Sequence, residues 1–120
     1  MLAGRTTAGE IIAAVDEIKP NAFSTARKLA WLDELEGRIA TDVMLMDVTC
    51  VPDLRLTESR TPIVQPPHDS IYRMWLTAKI DEANGDFDRY QNAQIAFDAA
   101  WRAFVRFFAE RYDPAYGYMM

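Results

Sequence analysis

A chain of 120 residues, half of them hydrophobic and 26% charged, has the size and composition of one globular domain rather than of a disordered segment. Its formal net charge of −5 argues against a role in coating nucleic acid, because binding phosphate takes clustered Lys and Arg. The lone Cys50 excludes an internal disulfide, and we find neither a signal-peptide core nor an apolar run of the roughly 20 residues that cross a bilayer, so we expect a protein made in the cytoplasm with no membrane partner.

Two helices are predicted in the first third of the chain. Thr7 and Glu10 have the spacing of a capping box, and Lys19-Pro20-Asn21 ends the first helix. Ser24 or Thr25 can cap the second helix. Its apolar stripe advances in steps of three or four residues through Leu29, Leu32, Leu35, Ile39, Val43 and Met46.

The helical pattern stops between about residues 47 and 67, where four prolines and short alternating apolar stretches occur. The runs 54–56 and 63–64 are candidates for short strands that pair across the TESR turn. An irregular segment of roughly 20 residues is long for a domain of this size. We call it the arm, and two interpretations stay open: it lies against a neighbouring chain, as in strand addition, or it packs on its own chain.

The part of the chain that follows the arm has the pattern of an antiparallel helical hairpin. Asp69 is the expected N-cap of the third helix, Asn84-Gly85 is a C-terminal signal, and Asp86 can begin the fourth helix at once. The fourth helix should end near Tyr112, because Pro114 stops it. Its predicted heptad seam consists mostly of aromatic rings: Phe87, Tyr90, Gln94, Phe97, Trp101, Phe104 and Phe108.

These elements predict an all-α fold. We expect a small bundle of about four helices over residues 1–112, with the C-terminal helical hairpin, an irregular arm of possible β-hairpin form between the second and third helices, and a tail at residues 113–120.

No catalytic set can be assembled from the residues that carry chemistry. His68 is the only histidine and Cys50 the only thiol, so a zinc site lacks ligands, and no basic residue adjoins Cys50 to activate it. Carboxylates crowd the hairpin tip without the spacing of a calcium loop, and Asp81 and Arg89 are a candidate ion pair across it. We therefore expect no enzyme activity, no metal and no cofactor.

Aromatic and methionine residues are more abundant than a core of this size needs. The chain has fourteen Phe, Trp and Tyr residues, and the tail is rich in Tyr and Met, which are enriched in interface cores. Arg102, Arg106 and Arg111 form a basic edge on the fourth helix, suited either to DNA phosphates or to carboxylates of another subunit. These features favour a partner-binding protein, and an oligomer.

A family resemblance is carried by two runs, TAGEIIAAVDEIKPNAFSTARKLAWLDELEGRI and PPHDSIYRMWLTAKIDEANGDFDRYQNAQIAFDAAW. These runs resemble the head–tail connector, or head-completion adaptor, proteins of tailed bacteriophages. The resemblance lies in the order of the two runs and in the KPN turn, the WLDELEGRI run, the PPxDxIY entry and the IDxANGxxxRY hinge. The resemblance covers roughly residues 7–112, and residues 47–62 contribute nothing to it.

The resemblance implies a structural virion protein of the neck, a subunit of a ring of twelve below the portal that extends the DNA channel. Expected partners are the portal, neighbouring copies, tail or stopper and tail-terminator proteins, and passing DNA without sequence-specific binding. Candidate intersubunit contacts on the arm are Leu54, Leu56, Ile63 and Val64. Candidate portal contacts are Tyr112, Tyr116, Tyr118 and Met119.

Two alternatives belong to other classes of protein. One is a small helical regulatory module that binds nucleic acid, through Arg102, Arg106 and Arg111, or another protein. The other is an enzyme that uses His68 or Cys50, and the shortage of partner residues argues against it.

Overall fold

A computed structural model describes residues 6–111 of the chain. Four α-helices form the fold: α1 (Ala8–Ile18), α2 (Thr25–Arg38), α3 (Ser70–Ala83) and α4 (Phe87–Arg111). A π-helical turn (Ile39–Val43) continues α2, and a 3-10 helix (Val48–Leu54) lies in the arm. The described residues contain no strand, so the all-α prediction is confirmed and the β-hairpin form of the arm is not adopted. None of the described helices is long and apolar enough to cross a membrane.

The α1–α2 pair begins as the sequence predicts and is tied together by a buried cation. Thr7 and Glu10 form the capping box, and the Ser24 hydroxyl accepts a hydrogen bond from the first turn of α2. The Lys28 ammonium is buried and lies 2.9 Å from both carboxylate oxygens of Asp16 near the end of α1. Because this ion pair joins the C-terminal half of α1 to the first turn of α2, it sets how the two helices meet.

The α3–α4 hairpin turns where the sequence predicts, although two details differ. Gly85 has φ +73°, the left-handed conformation that glycine adopts freely. Asp69 holds the N-cap position of α3 but its side chain makes no capping hydrogen bond. The expected Asp81–Arg89 ion pair is wrong: Asp81 is buried, and its carboxylate lies 2.8 Å from the Lys19 ammonium of α1.

One hydrophobic core joins all four helices and the arm. Tyr72 and Phe97 are among its largest fully buried side chains. The predicted seam of α4 is buried in this core at Phe97 and Phe104, whereas Phe87 at its start is exposed and Tyr90 is half-buried. The buried apolar members are Ala8, Ile11, Ile12, Val15, Leu32, Leu35, Ile39, Leu56, Val64, Ile71, Tyr72, Leu76, Ile80, Phe97 and Phe104.

Candidate functional site

The C-terminal part of α4 projects beyond the rest of the hairpin. The rings of Trp75 and Phe97 lie 5.2 Å apart, which places the start of α3 at Ser70 level with about residue 102 of α4. Residues 102–111, which we call the α4 end, therefore extend roughly 14 Å past α3 at 1.5 Å per residue. Only Phe104 is buried there, so the α4 end offers most of its circumference to a partner.

A line of aromatic rings runs along α4 from the core to the α4 end. Neighbouring ring centroids are separated by 5.8 Å from Phe97 to Trp101, 5.9 Å from Trp101 to Phe104 and 6.3 Å from Phe104 to Phe108. The His68 ring packs 4.6 Å from that of Phe107, at the end of the arm. Aromatic pairs at such distances contribute about 0.5–1.5 kcal/mol each beyond their burial. The pairs within α4 stabilise the projecting helix itself, and the His68 contact ties it to the end of the arm.

Arginine side chains surround these rings. The Arg38 guanidinium lies 4.6 Å from the ring centroid of Trp101, and that of Arg111 lies 5.0 Å from Phe107. Arg102 and Arg106 are exposed on the same helix. Exposed arginine beside half-buried aromatic residues is the composition of interface hot spots, so the α4 end has the chemistry of a protein-docking surface.

The expected portal contacts lie next to this surface in the chain. Tyr112, Tyr116, Tyr118 and Met119 are outside the described residues, and their role stays a prediction.

A second cluster holds the arm on its own chain, and we call it the arm latch: Asp33, Glu36 and Tyr72. The Asp33 carboxylate accepts a hydrogen bond from the backbone N–H of Leu56 at 2.7 Å. The Glu36 carboxylate accepts from the N–H of Ile63 at 2.9 Å and from the Tyr72 hydroxyl. That hydroxyl in turn accepts from the N–H of residue 64 at 3.0 Å. Of the two interpretations of the arm, the described structure is the self-packed one.

Burial raises the pKa values of two latch residues. It raises the pKa of Glu36, and the hydrogen bonds from Tyr72 and the Ile63 backbone offset only part of that effect. Burial, with the Glu36 carboxylate beside it, also raises the pKa of Tyr72 well above 10, so the hydroxyl stays protonated and remains a donor. The latch is thus a satisfied polar network within the core, which needs every member in place.

The expected intersubunit residues of the arm occupy two environments. Leu56 and Val64 are buried in the core of their own chain, whereas Leu54 and Ile63 are half-buried. An intersubunit role for Leu56 and Val64 therefore requires the arm to leave the latch.

The residues considered for catalysis and metal binding are not brought together. The His68 ring contacts Phe104 and Phe107, and the half-buried Cys50 lies in the 3-10 helix. Within residues 6–111 no group of three His, Cys, Asp or Glu residues is arranged to hold a metal ion. The carboxylates of the hairpin tip are divided instead, since Asp81 faces α1 while Asp86 pairs with Arg89 at 3.4 Å.

Sequence reasoning missed two apolar surface features. Leu45 and Val48 are 80% and 70% exposed just after α2, and Ile18 is 82% exposed at the end of α1. Ile18 borders an apolar groove between α1, α3 and α4. The helical period assigns Ile18 to the face of α1 that enters the core, so the sequence predicts that it is buried. The only sign of its exposure in the sequence is its position in the last turn of α1.

Comparison with protein-family models, with curated proteins and with solved structures found no match for this chain.

Proposed function

We propose that this chain is a structural virion protein, a head–tail connector subunit that assembles as a ring below the portal. The ring extends the DNA channel and offers a docking surface to tail or further connector proteins. The resemblance of residues 7–112 to phage connector proteins supports this assignment, as does the all-helical fold. The observation that carries it is the α4 end, a projecting helix with half-buried rings and exposed arginines.

The α4 end suits docking by its position as well as by its composition. Phe107 and Phe108 are half-buried on a helix that projects past α3, so a partner can contact them without disturbing the core. The chain continues from Arg111 directly into the Tyr- and Met-rich tail. In this proposal the projecting helix and the tail that follows it in sequence both bind the portal.

The charge of the chain suits a channel through which DNA passes. The formal net charge of −5 opposes the accumulation of DNA phosphates on the ring. A subunit that lines a channel must let the duplex slide, so in this proposal DNA passes without sequence-specific binding.

The proposal is tested by mass measurements on the purified chain, alone and mixed with the portal protein encoded in the same gene cluster. We expect a ring of about twelve copies on the portal. Deletion of residues 113–120 should leave the helical content and melting temperature unchanged and abolish portal binding, because the described core is built from residues before that range. Deletion of residues 1–5 is the matched control and should bind as the full chain does. A tail-deleted chain that still docks normally contradicts the role of the tail, and a full chain that ignores the portal contradicts the function.

A nucleic-acid-binding module is the second candidate function, favoured by the exposure of Arg102, Arg106 and Arg111 on one helix. Phosphate binding through three arginines predicts an affinity for DNA that falls steeply as salt rises. Under the connector proposal we expect no binding in a titration at low salt. Salt-sensitive binding that is lost in an Arg102→Gln/Arg106→Gln variant would favour this alternative.

A further inference from the structure

Leu45 combines two features that a leucine rarely shows together. Its φ is +56°, in the left-handed region that bulky side chains avoid, and its side chain is 80% exposed. Hydrogen bonds hold this conformation, from the N–H of Met44 to Ile39 O at 3.0 Å and from the N–H of Met46 to Ala40 O at 2.8 Å. This is the helix C-terminal position that glycine usually occupies. The fold therefore exposes the apolar Leu45 side chain to solvent in a strained backbone conformation. Burial of the side chain does not offset the cost of that strain.

The segment around Leu45 is acidic. We call residues 42–53 the acidic turn: it contains Asp42, Asp47 and Asp53, all exposed, and no Lys or Arg. Val48 adds a second exposed apolar side chain next to Asp47. The acidic turn thus exposes one apolar side chain on each side of Asp47 in sequence, and the Arg60 guanidinium donates to the Asp53 carbonyl at its far end.

The apolar groove between α1, α3 and α4 has the complementary character. Its lining includes Met74, Ala93 and Ala96, and its cationic side chains are Arg73 and Lys19, of which Lys19 is already paired with the Asp81 carboxylate at 2.8 Å. Arg73 is exposed and forms no ion pair with another residue of the described part of the chain. The groove encloses about 230 Å³, less than the roughly 300–1,000 Å³ of small-molecule pockets, so it suits one or two protein side chains.

The apolar surface continues past the groove. Ile18 at its border is 82% exposed. A large apolar side chain exposed beside an apolar groove marks an interaction site rather than a scattered surface residue.

The acidic turn and the groove lie near opposite ends of α2. The Asp16–Lys28 ion pair holds the end of α1, and with it Ile18, near the first turn of α2. The acidic turn follows the other end of α2, and its 3-10 helix packs on α2 and on the π-helical turn. Residues 25–43 span roughly 27 Å at the helical rise, so one chain cannot place its acidic turn in its own groove.

From these complementary surfaces we propose that the acidic turn of one copy of this chain docks in the α1–α3–α4 groove of the next copy. Leu45 and Val48 enter the groove, and the carboxylates of the turn face Arg73. Because the two surfaces differ, the contact is head-to-tail, and repetition produces a ring or a linear chain. This inference deepens the proposed function by naming the surfaces that join neighbouring subunits, and its test uses the isolated chain without a portal.

The test pairs one variant on each surface. Leu45→Gly removes the apolar side chain and relieves the strain, so we expect it to melt a few degrees higher while losing self-association. Ala96→Glu places a carboxylate in the groove at an exposed helical position, and it should lose self-association without loss of helicity. Leu45→Met and Ala99→Glu, the latter exposed and outside the groove, are the matched controls and should associate as the natural chain does.

Mixing the Leu45→Gly and Ala96→Glu variants tests whether the contact between copies is head-to-tail. Each retains the surface that the other lacks, so an equimolar mixture should form dimers and nothing larger, as measured by sedimentation. A natural chain that remains monomeric up to its solubility limit overturns the proposal. So does self-association that survives Leu45→Gly, or a mixture that forms no dimer. If the natural chain gave any of these results and still bound the portal, the connector function would stand without the contact between the acidic turn and the groove.

Discussion

Glu36 and Tyr72 show how two side chains hold an irregular segment. The Glu36 carboxylate is buried and accepts both the Tyr72 hydroxyl and the backbone N–H of Ile63. Asp33 is the nearby charge that raises its pKa further, and Arg60 acts in the opposite direction. A buried carboxylate in this position stabilises the arm only while its donors are present, because an unpaired buried charge costs more than the hydrogen bonds contribute.

Replacing Tyr72 by Phe should lower the free energy of unfolding by about 2 kcal/mol at pH 8, because Glu36 loses its hydroxyl donor and the N–H of Val64 loses its acceptor. The measurement is chemical denaturation. Tyr90→Phe is the control, since Tyr90 is only half-buried, and it should change the stability little.

The same variant has a defined pH dependence. The pKa of Glu36 in the folded chain is raised above its ordinary 4.5, so folding binds a proton there, and stability falls as pH rises from about 4.5 through the folded pKa. Loss of the Tyr72 donor raises that pKa further. The deficit of Tyr72→Phe should therefore be larger at pH 8 than at pH 4, and an equal deficit at both would contradict the assignment.

At the scale of elements, the arm also completes the first turn of α1. The backbone N–H groups of Ala8 and Gly9 have no partner within their helix, and they donate to the carbonyls of Arg60 and Glu58 at 2.9 Å each. A Cβ at Gly9 would lie 2.8 Å from the Glu58 carbonyl oxygen, closer than such contacts allow. Gly9 is therefore required by the close approach of the arm, not by its own backbone conformation.

Two glycine-to-alanine changes separate packing from helix propensity. Gly9→Ala should lower the free energy of unfolding by about 1 kcal/mol, because the clash with the arm outweighs the gain in helix propensity. Gly37→Ala is the matched control within α2, where the new Cβ meets only the Val51 side chain at 3.4 Å. It should stabilise the chain by about 0.5–1 kcal/mol. Thermal and denaturant unfolding measure both, and a stabilising Gly9→Ala would show that the arm does not press on α1.

On the scale of the whole molecule, the described residues form an elongated body of 46 × 31 × 30 Å. Its longest helix carries the α4 end, while the acidic turn and the groove lie near the two ends of α2. Under the two proposals the α4 end binds the portal while the acidic turn and the groove join neighbouring copies, which is what a ring on a platform would need. In such a ring the net charge of −5 would make copies repel one another at low salt, and close apolar contact would have to overcome that repulsion.

Interactions between residues close in sequence allowed the helices to be predicted. The Thr7–Glu10 capping box and the left-handed Gly85 depend on residues within one turn of each other, so the sequence by itself determined where α1 begins and where α3 ends. The apolar stripe of α2 likewise identified Leu32, Leu35 and Ile39 as core.

Only the tertiary structure decided the rest, because the groups involved are distant in sequence. The arm packs on its own chain through hydrogen bonds that span 23 residues from Asp33 and 27 from Glu36, which no local pattern encodes. Asp81 pairs with Lys19 rather than with Arg89 because α1 packs across α3 at that point. Leu45 is exposed because the chain leaves α2 in a left-handed turn, and periodicity describes only residues that continue a helix.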